Sequence, residues 1–200
     1  MKVIRMRSRA AVYSCNVYLV LGEWNAIDDV NTLVDVGPDD FIVAELAKHS
    51  TGLGKVPVEQ IVLTHNHSDH AAGVPGVKAA FSPQVLAQNL ERGVDRAVRD
   101  GEWIRMGDRA FQVIQIAEHS SDSICLYCPE ERVLFSGDTP LSIIHAGETH
   151  SEAYVEFIQR LMLMKLERIY VGHGEPISNG IQRMLRESWD NVHDNVALSS

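Results

Sequence analysis

One short segment concentrates residues that can hold a metal ion. From His65 to His70 the sequence reads HNHSDH, which places three imidazoles and one carboxylate within six residues. Imidazole nitrogens and carboxylate oxygens are the ligands of zinc, iron and manganese in proteins. A polar loop with solvated histidines is the alternative interpretation of this segment, and the positions of other histidines and aspartates argue against it.

Candidate ligands elsewhere in the chain share one local context. His65, His119, Asp138 and His173 each lie just past the end of an apolar run that predicts a strand, three of them within two residues of that end. Sites are usually built on loops at the ends of strands. If these strands end on the same side of the fold, the four side chains converge in one cleft.

The set of candidate ligands is larger than one ion requires. No cysteine stands in a candidate position, so a closed structural Cys site is not expected. Two adjacent ions that share a carboxylate and keep room for water use about this many ligands. The candidates are His65, His67, Asp69, His70, His119, Asp138 and His173.

The elements that must position these side chains alternate along the chain. Apolar runs predict strands at residues 3–6, 12–21, 31–36, 61–64, 111–117, 124–128, 132–135 and 168–171. Capping and amphipathic patterns predict helices at residues 41–49, 83–98, 152–166 and 181–196, and glycine and proline predict a broken stretch at 73–76. Interleaved strands and helices indicate an α/β (α+β) class in which helices cover layered sheets.

Length and composition favour a single domain over residues 1–200. The chain weighs 22.2 kDa, is 45% hydrophobic and carries a net charge of −9. Nucleic-acid binding is disfavoured because phosphate contacts need clustered cations, and no apolar run is long enough to span a membrane. Three cysteines are too few for a disulfide scaffold, and we expect a cytoplasmic protein with a small-molecule substrate. The sequence does not indicate the oligomeric state.

The order of the candidate ligands resembles that of the metallo-β-lactamase superfamily. The resemblance lies in HxHxDH at 65–70, then His119, Gly137-Asp138 and Gly172-His173-Gly174, and residues 16–20 and 32–37 look like the opening strands of the fold. It implies a four-layer αβ/βα sandwich with metals at one edge. The superfamily hosts many reactions, so this pattern is specific for the fold and the metal site and not for the substrate.

The resemblance also implies a division of the ligands between two divalent ions, for which zinc is preferred over iron or manganese. One ion would take His65, His67 and His119, and the other would take Asp69, His70 and His173. Asp138 would bridge both ions. Two divalent ions bring four positive charges, which Asp69, Asp138 and a bridging hydroxide reduce to about +1.

The activity that this resemblance implies is hydrolysis. A hydroxide that bridges the two ions would attack an ester, thioester or lactone carbonyl. Asp138 would hold both metals, and Asp69 would orient the hydroxide or pass a proton to the leaving group.

Within the superfamily the chain is most similar to small glyoxalase II-like hydrolases. Gly137-Asp138-Thr139 and Gly172-His173-Gly174-Glu175-Pro176 carry this similarity, and Asp138 stands where class B β-lactamases have a cysteine. The chain is too short for the helical C-terminal glutathione-binding domain of glyoxalase II. Residues 139–151 also contain no Lys or Arg to hold glutathione carboxylates.

Two alternatives remain from the sequence. A mononuclear iron oxidoreductase resembling persulfide dioxygenases would use His65, His119 and Asp138, with open positions for oxygen. A non-catalytic metal-binding domain would use the same ligands without turnover. The identity of the metal separates the first alternative from a hydrolase, and turnover separates the second.

The sequence does not place the remaining cysteine and histidine residues among the candidate ligands. Cys125 and Cys128 form a single CxxC pair inside a predicted strand, which favours buried thiols over a zinc or redox site. His145 and His150 follow Asp138 in a segment that could cover the metals, and we interpret them as exposed loop histidines.

Overall fold

Two β-sheets lie face to face in the computed structural model, which describes residues 1–8, 12–91, 93–143 and 150–196. The first sheet has the order β1-β2-β3-β4-β5-β6 and the second the order β11-β10-β9-β8-β7. The first contains β1 (Lys2–Arg5), β2 (Tyr18–Leu21), β3 (Thr32–Val34), β4 (Gln60–Val62), β5 (Gln84–Ala87) and β6 (Arg96–Ala97). The second contains β7 (Trp103–Met106), β8 (Arg109–Gln115), β9 (Ile124–Cys128), β10 (Val133–Gly137) and β11 (Arg168–Val171).

Helices cover the outer face of each sheet. The helices are α1 (Phe41–Leu46), α2 (Ser68–Ala71), α3 (Val74–Phe81), α4 (Glu152–Leu163) and α5 (Ile181–Val196). Apolar side chains of α1, α2 and α3 pack on the first sheet, and those of α4 and α5 pack on the second. Among the described helices, none combines the length and the apolar character that crossing a bilayer requires.

Alternation along the strands divides the core into three layers. In β2, Leu19 and Leu21 face the helices while Tyr18 and Val20 face the other sheet, because successive side chains of a strand point to opposite faces. Phe111 and Phe135 of the second sheet meet them in the central layer. The result is a helix–sheet–sheet–helix sandwich, so the predicted four-layer αβ/βα architecture is confirmed.

The directions of the strands bring the loops that carry the ligands to one edge. β10 and β11 run parallel, and β8 runs the same way because β9 is antiparallel to both β8 and β10. The carboxyl ends of these three strands therefore lie at one edge, where His119, Asp138 and His173 follow them. The first sheet joins this edge where Ile124 N donates to Thr64 O, one residue before His65.

The helix predicted over residues 83–98 is wrong. Residues 84–87 form β5, which pairs in parallel with β4 and buries Val85, Leu86 and Ala87. The helix lies instead at Val74–Phe81, where glycine and proline had indicated a break. Pro75 stands in the first turn of α3, where its missing N–H costs nothing.

Two further differences concern strands. β2 begins at Tyr18 rather than at residue 12, because the residues before it bond to loops at the site instead of to a strand. Cys15 N donates to Asp69 O and Asn16 N to Gly172 O. β7 (Trp103–Met106) was not predicted, whereas the bounds predicted for β9, β11 and α5 are confirmed.

Candidate metal centre

The segment from His65 to His70 turns sharply as it leaves β4. His67 has an extended backbone at the N-cap of α2, and the amides of His70 and Ala71 both donate to His67 O. One helical turn rotates successive side chains by about 100°. Because of this turn, the side chains of His65 and His67 point to one position and those of Asp69 and His70 to a second.

The first position is surrounded by three imidazoles. His67 Nδ1 and His119 Nε2 lie 3.0 Å apart, and both rings meet His65 edge-on, with ring centroids 4.6 and 4.8 Å from its own. One nitrogen from each of the three rings lies within 4.8 Å of the others. Ligands at the usual Zn–N distance in a tetrahedral site are about 3.3 Å apart, so this separation suits a zinc-sized ion.

The second position is surrounded by Asp69, His70 and His173. His173 Nε2 lies 3.1 Å from Asp69 Oδ2, and His70 Nε2 lies 3.7 Å from the same oxygen. These three donor atoms also fall within 4.8 Å of one another.

Asp138 lies between the two positions. Its Oδ2 is 3.6 Å from His119 Nε2 and 3.4 Å from His173 Nε2, and its Oδ1 is 3.3 Å from His70 Nε2. His65 Nε2 is 4.0 Å from Oδ2. The one carboxylate therefore approaches imidazoles of both groups, and the structure brings all seven candidate residues together in a single cluster.

Three buried atoms of this cluster lack a hydrogen-bond partner within the described part of the chain. They are His65 Nε2, His70 Nε2 and Asp138 Oδ1. Burying a polar atom without a partner is unfavourable, and natural folds rarely leave several such atoms side by side. All three are atoms of the types that bind metals, and His65, His70 and Asp138 each offer such an atom within 4.8 Å of the others, so the donor set fits divalent metal ions.

Burial and charge set the protonation of the cluster. Burial, together with the neighbouring His70, lowers the pKa of His65 to about 4 and keeps that imidazole neutral. Burial also lowers the pKa of His119. Burial would raise the pKa of Asp138, but the surrounding imidazoles hold it below its usual range and keep the carboxylate charged. Neutral imidazoles and an ionised carboxylate are the forms that bind metals.

Asp35 supports the cluster from below and was missed by the sequence analysis. It is 2% exposed, and its Oδ2 accepts from His70 Nδ1 at 2.8 Å and from Thr64 Oγ1 at 2.9 Å. Thr64 Oγ1 in turn lies 3.1 Å from His65 Nδ1. Burial would lower the pKa of His70, but the Asp35 and Asp138 carboxylates together outweigh it and raise that pKa. Because Asp35 holds the proton on Nδ1, Nε2 is the nitrogen that would give up its proton to bind a metal.

The predicted bounds of a strand hid Asp35. It directly follows β3, as Asp138 directly follows β10, but the strand predicted over residues 31–36 included it, so it did not stand out as a strand-end residue. Its φ of +58° lies in the left-handed region, which Asp adopts more readily than most residues.

Two glycines leave room for the cluster. A Cβ on Gly172 would lie 2.0 Å from Asp138 Oδ1, and a Cβ on Gly137 would lie 2.6 Å from Thr64 Oγ1. Gly137 also has a φ of +51°. The backbone beside Asp138 and His173 therefore approaches the ligands more closely than any side chain would permit.

Asp122 joins the two loops that carry the first group of histidines. Its Oδ2 accepts from Asn66 N at 2.9 Å and its Oδ1 accepts from Ser120 Oγ at 2.7 Å. These neighbours adjoin His67 and His119, respectively. Asp122 thus fixes the spacing between the loops, a role that the sequence pattern did not indicate.

Two histidines and two cysteines lie outside the set of seven candidate ligands. His145 lies outside the described residues. His150 is not an exposed histidine as predicted, since its side chain is 9% exposed and Nδ1 lies 2.7 Å from Glu118 Oε1. Cys125 and Cys128 are buried in β9 as expected, and burial raises the pKa of Cys125 to about 12.

An open cleft of about 310 Å³ leads from solvent to the cluster. Its lining is formed by His119, Gly137, Asp138, Thr139, Val171 and His173. A small molecule can therefore reach Asp138 from outside.

Most of the chain, including all seven candidate ligands, matches one protein family. The family model described as "Metallo-beta-lactamase superfamily" matches residues 10–93 and 86–173. A hydroxyacylglutathione hydrolase of Hydrogenovibrio crunogenus is 32% identical over 129 residues, which are 63% of this chain and 46% of that protein. An atrochrysone carboxyl ACP thioesterase of Aspergillus fumigatus is 28% identical over 160 residues, 78% of this chain and 50% of that protein. The chain spans about half the length of these curated relatives.

Solved structures share the fold. ETHE1 from Myxococcus xanthus superposes with a TM-score of 0.70 at 20% identity, covering 100% of this chain and 92% of that one. The B3 metallo-beta-lactamase BLEG-1 superposes with a TM-score of 0.67 at 19% identity, covering 97% and 99%.

Proposed function

The chain belongs to the metallo-β-lactamase superfamily, and from this premise we propose that it is a hydrolase that uses two divalent metal ions to cleave a thioester, ester or lactone. The superfamily assignment rests on the family match. The observation that carries the proposal is the Asp138 carboxylate, which lies 3.3–4.0 Å from nitrogens of both groups of histidines. A shared carboxylate is typical of two adjacent ions that act on one substrate.

The seven candidate ligands would be divided between the two ions. His65, His67 and His119 would hold one ion, and Asp69, His70 and His173 the other, with Asp138 shared. Zinc is the expected metal, and iron or manganese would use the same ligands. When bound, the metals lower the pKa of a water molecule towards 7 and polarise the substrate carbonyl.

The protein's own groups contribute to proton transfer and orientation. Asp69 Oδ2 lies beside His173 at the second position, where a carboxylate can accept a proton from water and return it to the leaving group. Asp35 keeps His70 in one tautomer, and the Thr64 hydroxyl extends the same support to His65.

Thioesters are the preferred substrate class. Two relatives that match this chain are named as a hydroxyacylglutathione hydrolase and an ACP thioesterase. Both names describe cleavage of a thioester bond. Their acyl and thiol parts differ. Residues 139–151 contain no Lys or Arg to hold the carboxylates of glutathione. We therefore propose a thioester whose thiol part is not glutathione.

The test combines metal analysis with turnover. The purified protein is analysed for metal content and assayed with the 2-hydroxyacyl thioesters of glutathione and of N-acetylcysteamine, which share the acyl group and differ in the thiol. The proposal predicts about two metal ions per chain, hydrolysis that a chelator abolishes, and no preference for glutathione. Absence of hydrolysis of either thioester, or of any ester or lactone, by metal-loaded protein contradicts it.

A single iron per chain would favour the oxidoreductase alternative instead. His65, His119 and Asp138 would then form a two-histidine, one-carboxylate set. Oxygen consumption with a thiol or persulfide substrate distinguishes this result from hydrolysis.

A further inference from the structure

An exposed tyrosine lies over one of the proposed ligands. The ring of Tyr13 stacks on the imidazole of His173, with centroids 4.9 Å apart and an angle of 18° between the planes. Tyr13 is 75% exposed, so burial in a core does not explain its position. It is not one of the seven candidate ligands, and the proposed function as stated gives it no role.

The hydroxyl of Tyr13 lies next to the second metal position. It is 3.4 Å from His173 Nε2, and that nitrogen is 3.1 Å from Asp69 Oδ2 and 3.4 Å from Asp138 Oδ2. At 3.4 Å this contact is long for a hydrogen bond made by a hydroxyl, so it holds the phenol only weakly.

Asn16 fixes the segment that carries Tyr13 to the loop that carries His173. Its Nδ2 donates to Val171 O at 2.8 Å and to Gly174 O at 2.9 Å, and its backbone N donates to Gly172 O. Arg5 Nε donates to the Asn16 side-chain oxygen at 2.9 Å. Three residues after Tyr13, the chain is thus bonded on both sides of His173, which holds the phenol near that imidazole.

The side chains that line the cleft offer a substrate few hydrogen-bond donors, and Tyr13 reaches this region through its contact with the lining residue His173. Of the polar lining side chains, His119, Asp138 and His173 are candidate ligands. The remaining one, Thr139, is 5% exposed, and its hydroxyl accepts a contact from Cys125 Sγ. Tyr13 is exposed. In the described part of the chain, the one hydrogen-bond partner of its hydroxyl is His173 Nε2, the nitrogen that would bind a metal.

We propose that Tyr13 is a substrate-contacting residue, whose hydroxyl donates a hydrogen bond to the acyl oxygen of the substrate on the His173 side of the cleft. The inference rests on the proposed function, since it assigns a donor to the same carbonyl chemistry. A donor placed where negative charge develops on oxygen stabilises the transition state more than the ground state.

The test removes only the hydroxyl. Tyr13→Phe keeps the stacked ring, and Tyr127→Phe makes the same change on β9 as a matched control. Tyr13→Ala removes the ring as well. Each protein is measured for metal content, for kcat and KM with the N-acetylcysteamine thioester, and for acetate affinity through the visible spectrum of the cobalt-loaded protein.

For Tyr13→Phe we expect unchanged metal content, kcat about 10- to 100-fold lower, and acetate binding about 10-fold weaker. Tyr127→Phe is expected to match the wild type in all three. If Tyr13 only orients His173, Tyr13→Phe will match the wild type while Tyr13→Ala loses metal, and this result overturns the proposal.

The acetate measurement separates the inference from the proposed function. If the wild type hydrolyses no thioester, ester or lactone, the proposed function fails, and the acetate titration still decides the role of Tyr13. A Tyr13→Phe variant that binds acetate as tightly as the wild type overturns the inference whatever its turnover. A variant with weaker acetate binding but wild-type turnover also overturns it.

Discussion

The carboxylate of Asp35 accepts a hydrogen bond from Nδ1 of His70 across 2.8 Å, and both side chains are at most 2% exposed. The two residues are 35 positions apart in the chain: Asp35 directly follows β3, and His70 lies in α2. This contact leaves His70 Nε2, which lies 3.3 Å from Asp138 Oδ1, as the nitrogen that would bind a metal.

Replacing Asp35 by Asn is expected to weaken metal binding by about 10- to 100-fold. The amide presents a neutral group to His70, which makes the imidazole less basic and removes the strong preference for one tautomer. Metal content after dialysis against a competing chelator measures the effect. Asp28→Asn, at a site 74% exposed on the surface, is the control. Equal metal retention in both variants would contradict a supporting role for Asp35.

Replacing Asp138 by Ala should remove metal and activity together. Asp138 is the carboxylate that approaches both groups of histidines, so its loss is expected to empty at least one position and to lower kcat below detection. Metal analysis and the thioester assay on the same sample provide the measurement. Full activity with normal metal content would show that Asp138 is not a shared ligand.

Gly172→Ala is expected to abolish metal binding even though no ligand is changed. The new methyl group would lie 2.0 Å from Asp138 Oδ1 and 2.9 Å from His70 Cε1, so one of these side chains must move. Gly174→Ala, two residues further on, is the comparison, because its Cβ meets nothing within 4 Å. Residue 174 has a φ of +84°, which alanine adopts less readily than glycine. Gly174→Ala should therefore lower the free energy of unfolding by about 1 kcal/mol while the protein retains its metal. The same metal content in the two variants would count against the close packing at Gly172.

Removing the metals should lower the melting temperature. A ligand present at about 100 times its Kd stabilises the folded state by about 2.7 kcal/mol. For a chain of 200 residues this corresponds to a shift of about 5–10 °C in Tm. Thermal unfolding before and after chelation, and again after addition of zinc, measures the shift. Identical curves in all three states would mean that the cluster does not bind zinc in the folded protein.

The three cysteines should react with a thiol reagent only after unfolding. Cys15, Cys125 and Cys128 are each at most 2% exposed, and burial raises the pKa of Cys125 to about 12, so at pH 8 its thiol stays protonated. Titration with a chromogenic disulfide should therefore find no rapidly reacting thiol in the native protein and three in denaturant. Rapid labelling of Cys125 or Cys128 in the native state would reopen the redox interpretation of the CxxC pair.

The secondary structure was predictable where the local pattern has one interpretation. The amphipathic helix at residues 181–196 and the strand at 168–171 match α5 and β11. The prediction failed at residues 74–87, because a proline in the first helical turn resembles a break and the buried run of β5 has no helical or strand period of its own. Burial between β4 and β6 decides that β5 is a strand, and this burial is a property of the assembled sheet.

The sequence by itself determined the type and order of the candidate ligands, and with them the superfamily, because the HxHxDH pattern and the strand-end positions are local features. Only the tertiary structure decided which residues outside this set support the ligands and pack against them. Asp35 beneath His70, Gly172 against Asp138 and Tyr13 over His173 are pairs separated by 34 to 160 positions, as the residue numbers show. A sequence pattern records the periodicity of one element, whereas these contacts depend on the directions in which separate strands and loops reach the same edge of the sandwich.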